Sequence, residues 1–221
     1  DVNGLTTQIM DVSWDSSKGA DIVKGVVTEN IEYVSGLFIS KQEIISASFE
    51  QEDILTEIGF DNLIADSGTI QDAINSKYNR DVVSREVTKW DSESRALEYE
   101  EVSYSANNPL IKTKKIRSAT TYGLSGTEES YTEVIETIYS EETVEKRKIE
   151  YNVDSIDYRN RHSAYTIKET NYEYRNDSWD NILFEKQTER TNTQYDDYDR
   201  EASYNQTEQE YIFINNQRIL R

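Results

Sequence analysis

The chain has no cysteine, one proline (Pro109), one histidine (His162) and eight glycines among its 221 residues. Without cysteine there is no disulfide framework, no thiolate metal site and no cysteine nucleophile. A lone histidine cannot build a zinc centre, and His162 sits in a charged stretch, Arg159 to Ser163, that reads as an exposed loop. A Ser-His-Asp triad has no Gly-x-Ser-x-Gly elbow to sit on. The glycines form neither a dinucleotide fingerprint nor a phosphate loop. No apolar run reaches the 18 residues that would suggest a membrane-spanning helix. Basic residues are also scarce: 24 Lys and Arg face 43 Asp and Glu, a net charge of −19. Residues 1–110 carry −13 of it and residues 111–221 only −6. Neither half offers the concentrated positive field that phosphate backbones or anionic membranes require.

What is present is tyrosine, 16 of them, with Thr, Ile, Val and Glu in short polar–apolar alternations. Hydrophobic residues make up only 35%, so the core is thin. An acidic chain of this composition could be disordered, but Ile, Val, Tyr and Phe recur at strand spacing. From Val82 the alternation predicts strands at Val82–Trp90, Leu97–Tyr104, Ile111–Tyr122, Ser130–Tyr139, Thr143–Val153, Ala164–Tyr174, Ile182–Thr193, Ala202–Ile214 and Arg218–Leu220. Turn-like residues separate them, ending with Asn215-Asn216, whose side chains tolerate the left-handed backbone of a two-residue hairpin.

The first 80 residues read differently. Ile22, Val23, Val26, Val27, Ile31, Val34 and Phe38 fall near helical spacing. So do Ile44, Ile45, Phe49, Ile54, Leu55 and Ile58 before Gly59, and a short third series runs from Thr69 to Tyr78. The expected fold is mainly β, α+β overall. An antiparallel β-meander or sandwich from about residue 82 follows a mixed N-terminal segment with two or three helices. The expected domains are an acidic mixed region over 1–80 and an antiparallel β domain over 81–221.

Four features bear on function. Tyr151, Tyr158, Tyr165, Tyr172 and Trp179 are spaced seven apart; the pattern lacks a second apolar position per heptad and is no coiled coil. It reads either as ordinary sheet-covering tyrosine or as an aromatic stripe for a glycan or protein partner. Each of the three Trp precedes an Asp (Trp14-Asp15, Trp90-Asp91, Trp179-Asp180), which reads as a strand end followed by a turn. Asp196, Asp197, Asp199 and Glu201 form the densest acidic cluster, the first place to seek Ca2+, although they lack the EF-hand loop pattern. Asn176-Asp177-Ser178 and Asn205-Gln206-Thr207 fit the glycosylation acceptor pattern.

The stretch Tyr211-Ile212-Phe213-Ile214-Asn215-Asn216-Gln217-Arg218-Ile219 resembles a hairpin of the YD-repeat (Rhs-type) surface proteins. Asn171 to Tyr174 leading into Trp179-Asp180-Asn181 is similar. The resemblance covers about a tenth of the chain, lacks recurring Asp-Gly turns, and implies extracellular β-hairpin repeats.

These observations together predict an exported, non-enzymatic protein found outside the cell or at its surface. Asp1 in place of Met is consistent with a trimmed N-terminus. The expected role is structural or adhesive: a self-assembling subunit of a surface layer, filament or virion-like structure, with homo-oligomeric partners and no cofactor beyond Ca2+. Two alternatives stand beside it. One is an extracellular carbohydrate-binding module using Tyr and Trp rings with carboxylates. The other is a glycan hydrolase with two carboxylates, for which nothing singles out a pair.

Overall fold

The computed structural model describes residues 6, 8–14, 22–34, 38–50, 80–175, 178–214 and 217–221. They form twelve strands: β1 (Ile9–Trp14), β2 (Ile22–Val34), β3 (Phe38–Glu50), β4 (Arg80–Trp90), β5 (Ala96–Ser105), β6 (Asn108–Tyr122), β7 (Glu128–Tyr139), β8 (Glu142–Ile156), β9 (His162–Arg175), β10 (Ser178–Tyr195), β11 (Glu201–Ile214) and β12 (Gln217–Leu220). They lie in one sheet in strict chain order, the order of a meander. Contacts divide the chain into two compact units, 1–88 with 100–113, and 89–99 with 114–221.

In the first unit, β1, β2, β3 and β4 pair antiparallel in turn. The apolar series of β2 and β3, which the sequence reading assigned to helices, is therefore extended. Two local causes decide it. Val-Val and Ile-Ile pairs suit a pleated strand better than a helix. The register also slips between Glu29 and Glu32, beside Asn30 at φ 53°. This bulge adds a residue and breaks the two-residue period between Val27 and Ile31; elsewhere the adjacent apolar pairs imitate helical spacing. Val27 lies opposite Ile45, and Ile45 opposite Val82. With Ile31 these are the buried hydrophobic residues among those described. Each such side chain contributes about 1.5–3 kcal/mol when fully buried. The rest of the second expected helix, up to Gly59, and the third, over Thr69–Tyr78, lie outside the described residues.

From β4 onward the strands follow the alternation that begins at Val82 and are longer than predicted. The described pairs of the second unit run β7–β8, β8–β9, β9–β10, β10–β11 and β11–β12, all antiparallel. Pro109 enters β6 at its exposed second residue, where a strand tolerates a missing donor. Ser140 and Glu141, at φ 51° and 77°, make the two-residue turn between β7 and β8, both in the left-handed region that such hairpins require. No hydrophobic side chain of this unit is buried among the described residues. Its buried residues are Thr120, Glu133, Thr170, Glu185 and Thr193. Aromatic rings and the stems of Lys and Arg cover the sheet in place of an aliphatic core.

Candidate functional site: a repeated hairpin and its tyrosine–arginine ladder

Four five-residue loops close alternate hairpins: Asp91–Arg95, Gly123–Thr127, Asp157–Arg161 and Asp196–Arg200. They share one backbone design. The N–H of the first residue donates to the carbonyl of the fifth at 2.9–3.0 Å, and the N–H of the fourth donates to the carbonyl of the first at 3.0–3.3 Å. The fourth residue lies in the left-handed region, as Ser94 (69°), Gly126 (82°), Asn160 (59°) and Asp199 (60°). In three loops the leading Asp is the organiser. Its Oδ1 accepts the backbone N–H groups two and four residues on, and its Oδ2 accepts Nε of the Arg four residues on, at 2.6–2.8 Å. In the second loop Gly123 takes that place, and the Glu129 side chain occupies the space a Cβ would need.

These loops lower the pKa values of their aspartates. The guanidinium of Arg161 and the backbone donors of Arg161 and Arg159 hold Asp157 at about 2, below its ordinary 3.8. The backbone and side chain of Arg200 lower Asp196. Burial works against Asp91, but its bonds to Arg95 and Glu93 lower it on balance. A carboxyl depressed in the folded state contributes stability that is complete above its unfolded value and is lost as pH falls through its folded value. The Asp157 contribution should therefore disappear between about pH 4 and pH 2. Thermal melts of wild type and Asp157→Asn should differ at pH 6 and converge near pH 2.

The design extends into the strands. Six residues before each loop stand Arg85, Arg117, Tyr151 and Arg190. Eight residues after each loop start stand Tyr99, Tyr131, Tyr165 and Tyr204, and ten after it Glu101, Glu133, Ile167 and Gln206. The chain thus contains a 17-residue hairpin repeat over 85–101, 117–133, 151–167 and 190–206. Arg85 donates to Glu101 at 2.6 and 2.9 Å. Arg117 bonds Glu133 at 3.0 and 3.1 Å and Glu128 at 2.9 Å. Arg190 bonds Glu201 at 2.6 Å and Gln206 at 3.1 Å. In the third repeat a Tyr151–His162 bond of 2.7 Å stands where the second and fourth have an Arg–Glu pair.

Rings and guanidinium groups stack across the strands in one row. Arg117 lies over Tyr99 (5.6 Å) and over Tyr131 (3.6 Å). Tyr131 stacks on Tyr151 at 5.1 Å, and Tyr151 meets Tyr165 at 5.6 Å. Arg190 lies over Tyr165 (5.1 Å) and over Tyr204 (3.8 Å). The row Tyr99–Arg117–Tyr131–Tyr151–Tyr165–Arg190–Tyr204 crosses β5 to β11. Each such contact contributes about 0.5–1.5 kcal/mol beyond area burial. Burial, with Tyr165 and Tyr131 alongside, pushes the Tyr151 phenol up, so it stays neutral. At the hairpin edge Arg95 covers the Tyr122 ring at 4.6 Å and Arg161 the Tyr195 ring at 4.2 Å. The hydroxyls of those tyrosines donate to the carbonyls of Ala96 and His162.

The structure distributes the residues singled out from sequence as follows. Tyr151 and Tyr165 meet in the ladder. Tyr158 stands 85% exposed at a loop tip. Tyr172 lies on the opposite face from Tyr165, because seven steps along an unbroken strand reverse the side. Trp179 stands near the start of β10, 5.5 Å from Tyr174. The five rings therefore do not form one stripe. Trp90-Asp91 is a strand end and turn as expected, whereas Trp179-Asp180 lies inside β10. Asp15 and Asn176-Asp177 lie outside the described residues, and Asn205 is exposed on β11.

In the acidic cluster, Asp196 holds its own loop, Asp199 accepts from Arg159 and Arg161, and Glu201 accepts from Arg190. Asp197 is exposed at the loop tip. Among the described residues no three acidic or imidazole groups gather as metal ligands. His162 is a correction to the sequence reading. It is half-buried at the start of β9, tied to Tyr151, rather than an exposed loop residue.

A groove of about 590 Å³ lies beside the third and fourth loops, lined by hydroxyl and amide groups of Ser155, Ser163, Asn192 and Gln194 and by the Tyr158 and Tyr195 side chains. Comparison with family models, with characterised proteins and with solved structures found no match for this chain.

Proposed function

We propose that this chain is an exported structural or adhesive protein, a subunit whose copies join edge to edge into a layer, filament or virion-like structure. The supporting observation is the outer edge of β11. β12 pairs with Tyr211–Ile214 only, and the pairing ends at the bond from Arg221 N–H to the Glu210 carbonyl. On that side Glu201–Gln209 has no strand partner among the described residues, and all nine are exposed. A row of unused N–H and C=O groups this long is a template for another strand. The repeat adds to it, because a sheet built from like hairpins presents an edge shaped like its own interior joints. The succession of hairpins also agrees with what the YD-repeat resemblance implies for the fold.

Strand alternation gives a clean test. Glu210 turns its carbonyl outward to β12, so Glu208, two residues back, turns its N–H outward as well. Glu208→Pro removes an outward donor without removing one that bonds β10. Sedimentation velocity should show wild type and Glu208→Ala as oligomers and Glu208→Pro shifted to monomer, with unchanged circular dichroism. With a net charge of −19 per copy, association should strengthen as salt rises from 20 to 200 mM. Monomeric wild type at both salt concentrations would end the proposal.

A further inference from the structure

The ladder stops at β11 in mid-pattern. Arg190 covers the inner side of the Tyr204 ring at 3.8 Å, yet Tyr204 remains 47% exposed. Every other tyrosine in the row from Tyr131 onward has a ring or guanidinium neighbour on each side. The row also contains one joint where two tyrosines meet directly. Tyr131 and Tyr151 are opposite each other in the β7–β8 register, stacked at 5.1 Å with an interplanar angle of 24°.

Resting on the edge-joining reading above, we propose that two copies pair antiparallel along β11 about a twofold axis through Tyr204, so that the ladder passes unbroken from one copy into the other. A twofold axis normal to the sheet keeps the ladder on one face and sets Tyr204 against its counterpart as Tyr131 is set against Tyr151. Hydrogen bonding admits only registers that bring outward residues, such as Tyr204, Gln206 and Glu208, against one another. Centring on Ser203 sets Tyr204 against Ala202 and pairs only residues 201–205, and centring on Ala202 pairs only residues 201–203, because β11 begins at Glu201. Centring on Gln206 sets the Glu208 carboxylate beside the open Tyr204 ring, where the negative face repels it. Centring on Tyr204 sets Ser203 against Asn205 and closes the gap in the ladder. Centring on Asn205 leaves Tyr204 opposite Gln206.

The absence of cysteine makes the register measurable. In the proposed register Ser203 of one copy lies directly opposite Asn205 of the other. They form a non-hydrogen-bonded pair, the closer kind, within disulfide reach. Full-length Ser203→Cys and Asn205→Cys variants, both at exposed positions, would be mixed under mild oxidation with Tyr204 intact. The mixed disulfide should exceed either homodimer by about tenfold. A dominant Asn205→Cys homodimer would place the axis on Asn205, and a dominant Ser203→Cys homodimer would place it on Ser203. Either result, or no cross-link from a protein that still sediments as an oligomer, overturns this register and leaves edge joining standing. Monomeric wild type overturns both.

Discussion

Arg117→Ala should lower the unfolding free energy by about 3–5 kcal/mol, the usual cost of leaving a buried charge without its partner. Arg117 is only 12% exposed and its partner Glu133 only 8%. Removing the guanidinium strands that carboxylate and takes the cation from between Tyr99 and Tyr131. The equivalent change in the fourth repeat should cost less, about 1–2 kcal/mol. There the partners of Arg190 are neutral Gln206 and a 40% exposed Glu201, which water can reclaim. Arg117→Met combined with Glu133→Leu should recover most of the loss, because apolar replacements of both partners leave no charge to desolvate. Urea unfolding of the four proteins checks the order. Equal losses for Arg117→Ala and Arg190→Ala would refute the account.

Tyr151→Ala should cost about 2–4 kcal/mol. It removes two ring contacts at the centre of the row and the hydroxyl bonded to His162. Tyr151→Phe keeps the stacking and should cost about 1 kcal/mol, the value of one part-buried hydrogen bond. The third repeat differs from the second and fourth by Tyr–His in place of Arg–Glu, which makes the converse exchange informative. Tyr151→Arg alone places a cation beside His162, whereas Tyr151→Arg with His162→Glu rebuilds the pair that Arg190 and Glu201 form. The double variant should be more stable than the single one. A double variant no better than Tyr151→Arg would show that the pair does not transfer between hairpins.

The strands from β4 onward are legible in the sequence because alternation and turn residues agree there. The first two helical readings failed at β2 and β3, where adjacent apolar pairs such as Val26-Val27 and Ile44-Ile45 imitate helical spacing and only partner strands reveal the extended backbone. The ladder was harder to see. A search for Asp-Gly turns fails because Ser94, Asn160 and Asp199 take the left-handed position that glycine takes only at Gly126. A search at intervals of seven also fails, because the true neighbours come from adjacent strands: Tyr131 and Tyr151 are twenty residues apart. The signal was nonetheless present as Asp, then Arg four residues on, then Tyr eight on, at Asp91, Asp157 and Asp196. The acidic cluster shows the limit of composition. Asp196, Asp199 and Glu201 look like cation ligands in sequence, and each faces an arginine in space.

The second unit buries threonine and glutamate where most domains bury leucine and valine. Heat-capacity change on unfolding rises with newly wetted apolar area and falls with newly wetted polar area. A sheet insulated by phenol rings and ion pairs therefore has a shallow dependence of folding free energy on temperature. Cooling weakens it little, since the solvent-entropy drive that fades in the cold was never its main support.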